Sequence, residues 1–600
     1  MMRFLFVLVI SICGLLPANA QDAKLAQQYY QNGEFEKASI IYEKLFDKSN
    51  SDFFFDRYVE CLLAMEDFEN CEKVIKKQLK KQPENVNLYV TYGRLLNRQF
   101  KDDEAEKQYA ESIKRLPKDQ YTITRLANAF LNLTRYDLAT QVYERGSELL
   151  KDERIFAFNL GELYRRKGDN DKMIENYLIS LEDKPERINT LKTLFQRFLS
   201  EEDFKELQAQ LYARIQENEN APVFPELLSW VFIQRKDYKN AFRQEKALDR
   251  RFDENGGRLF RLGQMAANDK KYDSAIEIFD YIVEEKGLSS TYYQDAKQLA
   301  LRARRDKLVG GYDYTEAELR ELEQQYKQFL DETGRNKTNA SIQLELAKLE
   351  AFYLNDLDKA IELLKELIEF PNVDRVIRAE GKLALADFYL MQGERWESTL
   401  LYSQVDKEFK EALLGHEARF RNAKLSYYTG DFQWAQAQFD ILKASTSKLI
   451  ANDALDLSVF IMDNLGLDTT TTALEMYADA DLLVFQNRFS EAFEKVDSLV
   501  QLFPEHSLQD DVFYLKAQVF RKKREYEKAA EMYQKVIDKD PEGIRADNSI
   551  FQLAELYETH LNEVEKAKTL YETLFIDYSG STFAVEARKR FRRLRGDDVQ

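Results

Sequence analysis

The feature that most constrains this chain of 600 residues is an internal repeat of about 34 residues. In four places an alanine is followed four positions later by Tyr or Phe within a helical pattern, and weaker versions of this pair fall between them. The first members of the eight pairs are Ala38, Cys71, Ala105, Ala139, Met173, Leu207, Ala241 and Ala275. Successive first members are 33 or 34 positions apart. Such a period predicts one structural unit that stacks on copies of itself.

A second series of pairs, with a longer period, occupies the C-terminal half of the chain. Its first members are Ala360, Ser398, Ala435, Ala492, Ala529 and Ala567. The steps between them are 38, 37, 57, 37 and 38 residues. The step of 57 predicts one or two additional helices around Ala451–Tyr477.

The residues around the pairs predict two antiparallel helices in each unit. A small residue such as Gly93 or Gly161 lies 12 positions before the pair and lets the two helices approach closely. Pro83, Pro117 and Pro185 lie 12 positions after it and end the second helix, because proline cannot continue a helix. Gly and Pro together number only 30, too few for the frequent turns of a β-sandwich or barrel. We therefore expect an all-α fold.

In this pattern the chain resembles the tetratricopeptide-repeat family, whose units of 34 residues combine a small residue, an alanine, an aromatic residue and a proline. The resemblance implies a superhelical solenoid of antiparallel helix pairs, in two arrays joined by an irregular helical segment. The pairs at Leu207 and Ala241 depart from the pattern, and in the second of them Glu245 takes the aromatic position. The longer period of the second series is similar to that of envelope proteins of this family.

The phase of the repeats and the local composition divide the chain into five predicted segments. They are a signal peptide over 1–20, an N-terminal array of about eight repeats over 21–287, a helical linker or insert over 288–340, a C-terminal array over 341–583 with additional helices near 450–477, and a basic capping helix with a tail over 584–600. Within the linker, a long helix is predicted over Glu316–Leu330, with joints at Gly310-Gly311 and Asp331–Ser341.

The first twenty residues have the layout of a cleaved secretory signal. Arg3 provides a positive start, Phe4–Leu16 carries no charge, and Ala18-Asn19-Ala20 places small residues before a cleavage point. The uncharged run is shorter than the roughly 20 residues that span a membrane. Cys13 follows the bulky Ile12, which disfavours lipid attachment. We predict an exported protein of the periplasm of a Gram-negative bacterium, with no transmembrane span; association with the outer membrane is left open.

Composition and motifs exclude several classes of function. The net charge of −18 repels nucleic acid, because affinity for nucleic acid comes largely from neutralising phosphates. The three histidines lie far apart, and the common hydrolase, nucleotide-binding and metalloprotease motifs do not occur. We expect no catalytic residues, no metal site and no cofactor. Cys61 and Cys71 fall in one predicted helix pair, which leaves two alternatives open, a disulfide or two small buried thiols.

The resemblance also implies where a partner would bind. In the family, the first helix of each repeat lines a groove with the positions that point away from the small residue. For the third to fifth repeats these positions are Arg94, Asn97, Arg98, Tyr121, Asn128, Leu131, Glu162, Arg165 and Arg166. Asn and Arg side chains can bind peptide backbone and carboxylates. Thr124 precedes Asn128 where the carboxylate-clamp repeats have Lys, so that particular specificity is not implied.

The C-terminal segment concentrates positive charge. Its cations are Arg588, Lys589, Arg590, Arg592, Arg593 and Arg595. One interpretation is a helix that caps the array with a polar outer face, where cations also suit the helix C-terminus. The other is an anchor for an anionic partner.

The export signal, the array and the lack of catalytic motifs together predict a non-catalytic interaction scaffold of the bacterial cell envelope. The expected partners are other envelope proteins or peptides, in envelope assembly, secretion or cell-wall remodelling; peripheral association with a membrane is left open. The alternative is an outer-membrane-associated receptor subunit that binds glycans or other ligands through exposed aromatic residues. An enzyme would need a domain outside the repeats, and residues 288–340 are too few for one.

Overall fold

The structure is a computed structural model that describes residues 18–218, 221–310, 314–444, 447–465 and 470–597. The predicted signal peptide, apart from its last three residues, lies outside the described residues. Throughout these ranges the chain forms 32 α-helices and no strand, which confirms the prediction of an all-α fold. The chain divides into two compact units, unit 1 (residues 1–296) and unit 2 (residues 297–600).

Unit 1 is a series of antiparallel helix pairs, each packed on the next along the chain. Its helices are α1 (Ala18–Gln31), α2 (Phe35–Ser49), α3 (Asp52–Ala64), α4 (Phe68–Lys81), α5 (Val86–Arg98), α6 (Asp102–Lys114), α7 (Gln120–Asn132), α8 (Tyr136–Leu150), α9 (Arg154–Lys167), α10 (Asn170–Asp183), α11 (Ile188–Phe198), α12 (Glu201–Glu217), α13 (Val223–Gln234), α14 (Tyr238–Phe252), α15 (Gly257–Asn268) and α16 (Tyr272–Tyr281). Short 3₁₀ turns (Pro185–Arg187, Gly287–Ser289) and a π-helical turn (Ile282–Lys286) join some of them.

Unit 2 begins within α17 (Tyr293–Gly310), which crosses the division. Its other helices are α18 (Glu316–Thr333), α19 (Ala340–Phe352), α20 (Leu357–Glu369), α21 (Arg375–Gln392), α22 (Arg395–Glu408), α23 (Leu413–Tyr428), α24 (Phe432–Leu442), α25 (Lys448–Leu465), α26 (Thr472–Phe485), α27 (Phe489–Leu502), α28 (Gln509–Lys522), α29 (Tyr526–Lys539), α30 (Ala546–Thr559), α31 (Val564–Asp577) and α32 (Ala584–Arg595). In the 57-residue step, α25 is the additional helix.

The turn inside each helix pair repeats with the period of the sequence. A residue with positive φ lies five positions before the first member of thirteen of the fourteen pairs. These residues are Gly33, Glu66, Phe100, Thr134, Gly168, Lys236, Lys270, Asn355, Gly393, Gly430, Asn487, Arg524 and Asn562. The exception is the sixth pair, where Glu202 lies inside α12. The backbone therefore turns in the same left-handed way in both units, although most of these residues are not glycine.

Within a pair, the small residue of the first helix lies against the aromatic residue of the second. A Cβ added to Gly161 would lie 2.6 Å from the ring of Tyr177, and one added to Gly93 would lie 2.4 Å from the ring of Tyr109. Gly263 and Phe279 repeat this contact. Glycine is required here because the aromatic ring fills the space that any side chain would take.

The seventh pair replaces this apolar contact with a polar one. Glu245 is 9% exposed in the aromatic position, and Ser229, in the small position, donates a hydrogen bond to it. Arg258 on the next first helix forms an ion pair with the same carboxylate at 2.9 Å. At the seventh pair, where the sequence departs from the aromatic pattern, a buried polar contact thus takes the place of the buried apolar one.

The segment predicted as a linker is largely helical and packs into unit 2. Leu319, Leu322 and Tyr326 of α18 are buried in the same apolar cluster as Leu346 of α19 and residues further along the unit. The division of the chain falls nearer the start of that segment, at Ala296 and Lys297.

Candidate partner-binding groove

A groove in unit 1 is formed by the first helices of three consecutive repeats, α3, α5 and α7. Because the repeat is 34 residues long, equivalent residues of these helices form rows across the groove. One row consists of Glu60, Arg94 and Asn128, and Glu162 of α9 continues it. A cavity of about 330 Å³ lies among the three helices. It is lined by Asp56, Val59, Glu60, Asn87, Val90, Thr91, Arg94, Arg125, Asn128, Ala129, Asn132 and Leu133.

Ion pairs join the helices that form the groove. Glu60 accepts a hydrogen bond from Arg57 at 2.7 Å and lies 3.9 Å from Arg94 of the neighbouring first helix. Arg125 of α7 reaches Asp52 of α3 at 3.3 Å, so it spans the intervening helix. These side chains are about one-quarter to two-fifths exposed, which leaves them accessible to a ligand as well as to each other.

Asp56 lies among these charges. Its side chain reaches water, but protein atoms on three helices surround it, and this loss of hydration raises the pKa of Asp56 to about 6. The Arg125 guanidinium opposes the increase, and the Asp52 and Glu60 carboxylates add to it. The groove therefore holds a carboxyl group whose pKa is raised well above its ordinary value.

The structure brings only part of the predicted groove together. Arg94 and Asn128 line the cavity, and the exposed Asn128 side chain makes no hydrogen bond to any described residue. Glu162 and Arg165 form an ion pair at 2.8 Å outside the cavity, where Tyr177 donates a further hydrogen bond to Glu162 at 2.6 Å. The Arg165 guanidinium stacks 4.5 Å from the ring of Phe198.

The remaining predicted residues lie beside the cavity or away from it. Asn97 is half-buried and its side-chain oxygen has no hydrogen-bond partner among the described residues. Arg98, Arg166 and Tyr121 are exposed, and the Arg166 guanidinium lies 5.6 Å from the ring of Tyr136. Leu131 is half-buried.

Several lining residues were not predicted, among them Asp56, Glu60, Asn87 and Arg125. The 34-residue period itself held the signal for Glu60, which lies one repeat before Arg94. Arg125 lies three positions before Asn128, on the same side of α7. Extending the predicted groove by one turn of that helix would have included it. Glu60 belongs to the second repeat, whereas the predicted groove covers only the third to fifth repeats.

The six C-terminal cations of α32 fall into two groups, three that pair with carboxylates and three that are exposed. Arg590 pairs with Glu555 at 3.0 Å and donates a hydrogen bond to the Tyr571 hydroxyl at 3.1 Å. Arg593 pairs with Glu558, and Arg595 pairs with Asp597. Arg588, Lys589 and Arg592 are exposed. Ala584 and Ala587 are buried on the opposite side, where Phe591 and Leu594 also pack. This arrangement supports the interpretation of α32 as a capping helix, with half of its cations left on the outer face.

The two cysteines are separate thiols in the structure. Cys61 and Cys71 are both buried, and burial raises the pKa of the Cys61 thiol to about 11 and that of Cys71 to about 12. Of the two alternatives, the structure therefore contains small buried thiols and not the disulfide.

Neither a membrane-spanning helix nor a cluster of metal ligands occurs in the described part of the chain. None of its helices is both long and apolar enough to cross a bilayer. The same residues contain no group of three or more His, Cys, Asp or Glu side chains that could hold a metal ion.

Helix pairs with this period and this small-to-aromatic contact are typical of tetratricopeptide repeats. Residues 511–543, which cover most of α28 and α29, match the family model described as Tetratricopeptide repeat. A comparison of the sequence with curated proteins gave no match.

A comparison with solved structures gave matches of low sequence identity and low TM-score. A tetratricopeptide repeat protein from Parabacteroides merdae is 14% identical over 51% of this chain and 99% of its own, with a TM-score of 0.28. The Naa15/Naa10 complex bound to HypK-THB gives 13% identity over 96% of both chains with a TM-score of 0.25. The APC/C hetero-tetramer Cut9-Hcn1 gives 11% over 97% and 98%, with a TM-score of 0.22. At these scores nothing about partners is transferred to this chain.

Proposed function

We propose that this protein is a non-catalytic scaffold of the bacterial cell envelope, and that the groove of unit 1 binds segments of partner proteins. The tetratricopeptide-repeat fold is generally one of interaction scaffolds and brings no active site of its own. The proposal for the envelope is based on the signal-like sequence of residues 1–20.

The observation that carries the proposal is the row of Glu60, Arg94 and Asn128 across the cavity. It offers a carboxylate, a guanidinium and an amide side by side, on three rigid helices. An extended peptide presents alternating N–H and C=O groups, which an exposed amide such as that of Asn128 can bind in both directions. Arg94 adds a donor for a carboxylate of the partner.

The volume and charges of the groove favour a short segment of mixed charge. About 330 Å³ accommodates a few side chains rather than a folded domain. Arg94 and Arg125 would bind its acidic groups, whereas Asp56 and Glu60 would bind its basic ones. A partner with only one sign of charge would leave half of these groups without a match.

In-cell crosslinking of the tagged protein, followed by mass spectrometry, tests this proposal. We expect a reproducible envelope protein whose recovery falls at least tenfold in the double variant Arg94→Ala/Asn128→Ala. The matched control is Arg98→Ala/Arg166→Ala, which alters two exposed arginines of the same helix type outside the cavity. Equal losses in both variants, or no captured protein at all, would contradict binding in this groove.

Cell fractionation tests the location separately. We expect the mature protein in the periplasmic fraction, with Gln21 as its first residue. A cytoplasmic protein that still carries residues 1–20 would contradict export, whatever the crosslinking shows.

A further inference from the structure

A second cavity lies wholly within unit 2, away from the groove described above. It has a volume of about 510 Å³, which is the size of a site for a small ligand. One wall comes from the residues around α18 and α19, and the other from α28, α29 and α30. We call it the aromatic cleft. It is lined by Tyr314, Phe352, Tyr353, Asn487, Tyr514, Gln518, Arg521, Lys522, Arg524, Tyr526, Tyr533, Gln552 and His560.

Aromatic rings dominate both walls of the aromatic cleft. Tyr314 and Tyr353 meet edge to face with centroids 5.8 Å apart on one wall. Tyr526 and His560 are stacked at 4.0 Å and nearly parallel on the other. Burial lowers the pKa of His560, which favours the uncharged form of its ring as an aromatic surface. Such surfaces are suited to the flat or apolar face of a ring in a ligand.

The charge of the aromatic cleft is opposite to that of the whole protein. Three of its lining residues are cations and none is a carboxylate, although the chain has a net charge of −18. Arg521 is neutralised by Glu555 at 2.6 Å. Lys522 and Arg524 are exposed and have no carboxylate within ion-pair distance in the described ranges. Lys522 donates to the amide oxygen of Asn487 at 2.6 Å, and Arg524 lies 4.3 Å from the ring of Tyr314.

Two polar groups of the aromatic cleft lack partners as well. Tyr533 is only 1% exposed, and its hydroxyl makes no hydrogen bond to the part of the chain that the structure describes. The side-chain oxygen of Gln552 is buried without a partner there. Buried polar groups are nearly always satisfied, so the Gln552 oxygen points to a hydrogen bond that a bound molecule would complete, and the Tyr533 hydroxyl lies at the same cavity.

From these observations we propose that the aromatic cleft binds a small molecule in which an anionic group is attached to a ring with an apolar face. Lys522 and Arg524 would bind the anion, and the tyrosine rings would cover the ring face. The hydroxyl of Tyr533 and the amide of Gln552 would bind polar substituents on the ring. This site is independent of the proposed partner groove, because it shares no residue with it.

The probe that tests this chemistry is 8-anilinonaphthalene-1-sulfonate, a ring system that carries one sulfonate. N-phenyl-1-naphthylamine is its uncharged counterpart. In a fluorescence titration of the full chain, we expect the sulfonate to occupy one saturable site at least tenfold more tightly than the uncharged compound does. Equal affinity for the two compounds would overturn the requirement for an anion.

A charge-matched pair of variants locates the site. Lys522→Gln/Arg524→Gln removes the two unpaired cations, and we expect it to weaken binding of the sulfonate at least tenfold. Lys523→Gln/Lys528→Gln removes two cations of the same region that both pair with Glu525 at 2.7 Å, and we expect little change. All four side chains are exposed, so folding is not at risk.

The two variants also separate the alternatives. If the Lys522/Arg524 variant binds the sulfonate as tightly as the original protein, the probe lies elsewhere and the proposal is wrong. If both variants lose the same affinity, the sulfonate responds to the overall charge of this region, and the proposal of a specific site is wrong. Neither result bears on the groove of unit 1, which the Arg94→Ala/Asn128→Ala variant tests separately.

Discussion

Units 1 and 2 use the same turn and the same helix pair, but they build different inner surfaces from them. In unit 1 the repeat is 34 residues and α5 has 13 residues, whereas in unit 2 the repeat between Ala360 and Ser398 is 38 residues and α21 has 18. Since a helical turn takes 3.6 residues, the longer repeat adds about one turn to the first helix. The packing of the two helices in a pair is retained, and the additional turn of the first helix is available for other contacts.

One ion pair from each unit shows how differently charges can be buried on this framework. In unit 1 the pair of Arg125 and Asp52 is nearly two-fifths exposed. In unit 2 the pair of Arg545 and Asp511 is buried, with the carboxylate only 3% exposed and the distance 2.8 Å. The first pair lies in an open groove, where water competes with it, and the second belongs to the interior. The repeat therefore sets the helix packing, and the positions outside the contact between the two helices of a pair decide whether a given ion pair lies in an open groove or in the interior.

The largest effect on stability is expected from a substitution that breaks the buried ion pair of unit 2. Arg545→Leu leaves the Asp511 carboxylate buried without its partner, and we expect it to lower the free energy of unfolding of unit 2 by about 3–5 kcal/mol. The matched change in unit 1, Arg125→Leu, should lower stability by about 1 kcal/mol or less. Calorimetry of the full chain measures both. Similar losses in the two variants would show that the pairs are not buried differently.

The next effect concerns the seam between the helices of a pair. Gly161→Ala places a Cβ 2.6 Å from the Tyr177 ring, and we expect a loss of about 1–3 kcal/mol in unit 1. In an open helix the same change would stabilise by about 0.5–1 kcal/mol, so the sign of the effect is informative. The control is Gly168→Ala, where an added Cβ meets no atom within 4 Å and only the positive φ of 74° opposes it. Increased stability of Gly161→Ala would contradict the tight seam.

A stabilising change is expected at the turns. Thr134 has φ of 57° in the left-handed region, which a β-branched residue adopts only with strain. Thr134→Gly should therefore raise the stability of unit 1 by about 1 kcal/mol. Asn355 has the same conformation in unit 2, but asparagine tolerates it, so Asn355→Gly should change stability less. Thermal unfolding of the two variants measures the difference, and a larger gain at Asn355 would contradict this explanation.

The smallest effect depends on pH. Because its pKa is raised to about 6, Asp56 binds a proton more tightly in the folded chain than in the unfolded chain. Its contribution to stability therefore decreases as the pH rises from its ordinary pKa to about 6. Asp56→Asn should become progressively more stable relative to the original protein over that range. Asp510 of unit 2, whose pKa burial also raises to about 6, should behave in the same direction. A stability difference that does not vary with pH would contradict the shift.

The sequence predicted the repeats well because their signal is local and repeated. Ala139 and Tyr143, for example, must both be buried in every stack of this type, and both are at most 1% exposed. The resemblance to the family predicted Arg94 and Asn128 as groove residues, and both line the cavity. Arg165 occupies a predicted groove position, but it pairs with Glu162 of its own helix and stacks on Phe198 at the end of α11.

Other features could not be read from the repeat pattern. The residues of 288–340 interrupt the period, yet α18 is buried in unit 2 because its Leu and Tyr side chains find an apolar surface there. The turn residues Phe100 and Thr134 adopt positive φ without being glycine, because the two packed helices impose the conformation of the turn. Glu245 departs from the aromatic pattern but is satisfied by Arg258, which lies on the next first helix.

The order of residues along the chain was enough to establish the class of fold, the register of the repeats and the face that each helix buries, because all of these depend on contacts within about one repeat. Tertiary structure decided which polar side chains meet. Tyr314 and Arg524 are 210 positions apart, and they share the aromatic cleft only because the helices of unit 2 bring their two segments together. No period in the sequence encodes such a contact, since it depends on the small rotations that accumulate from one helix pair to the next.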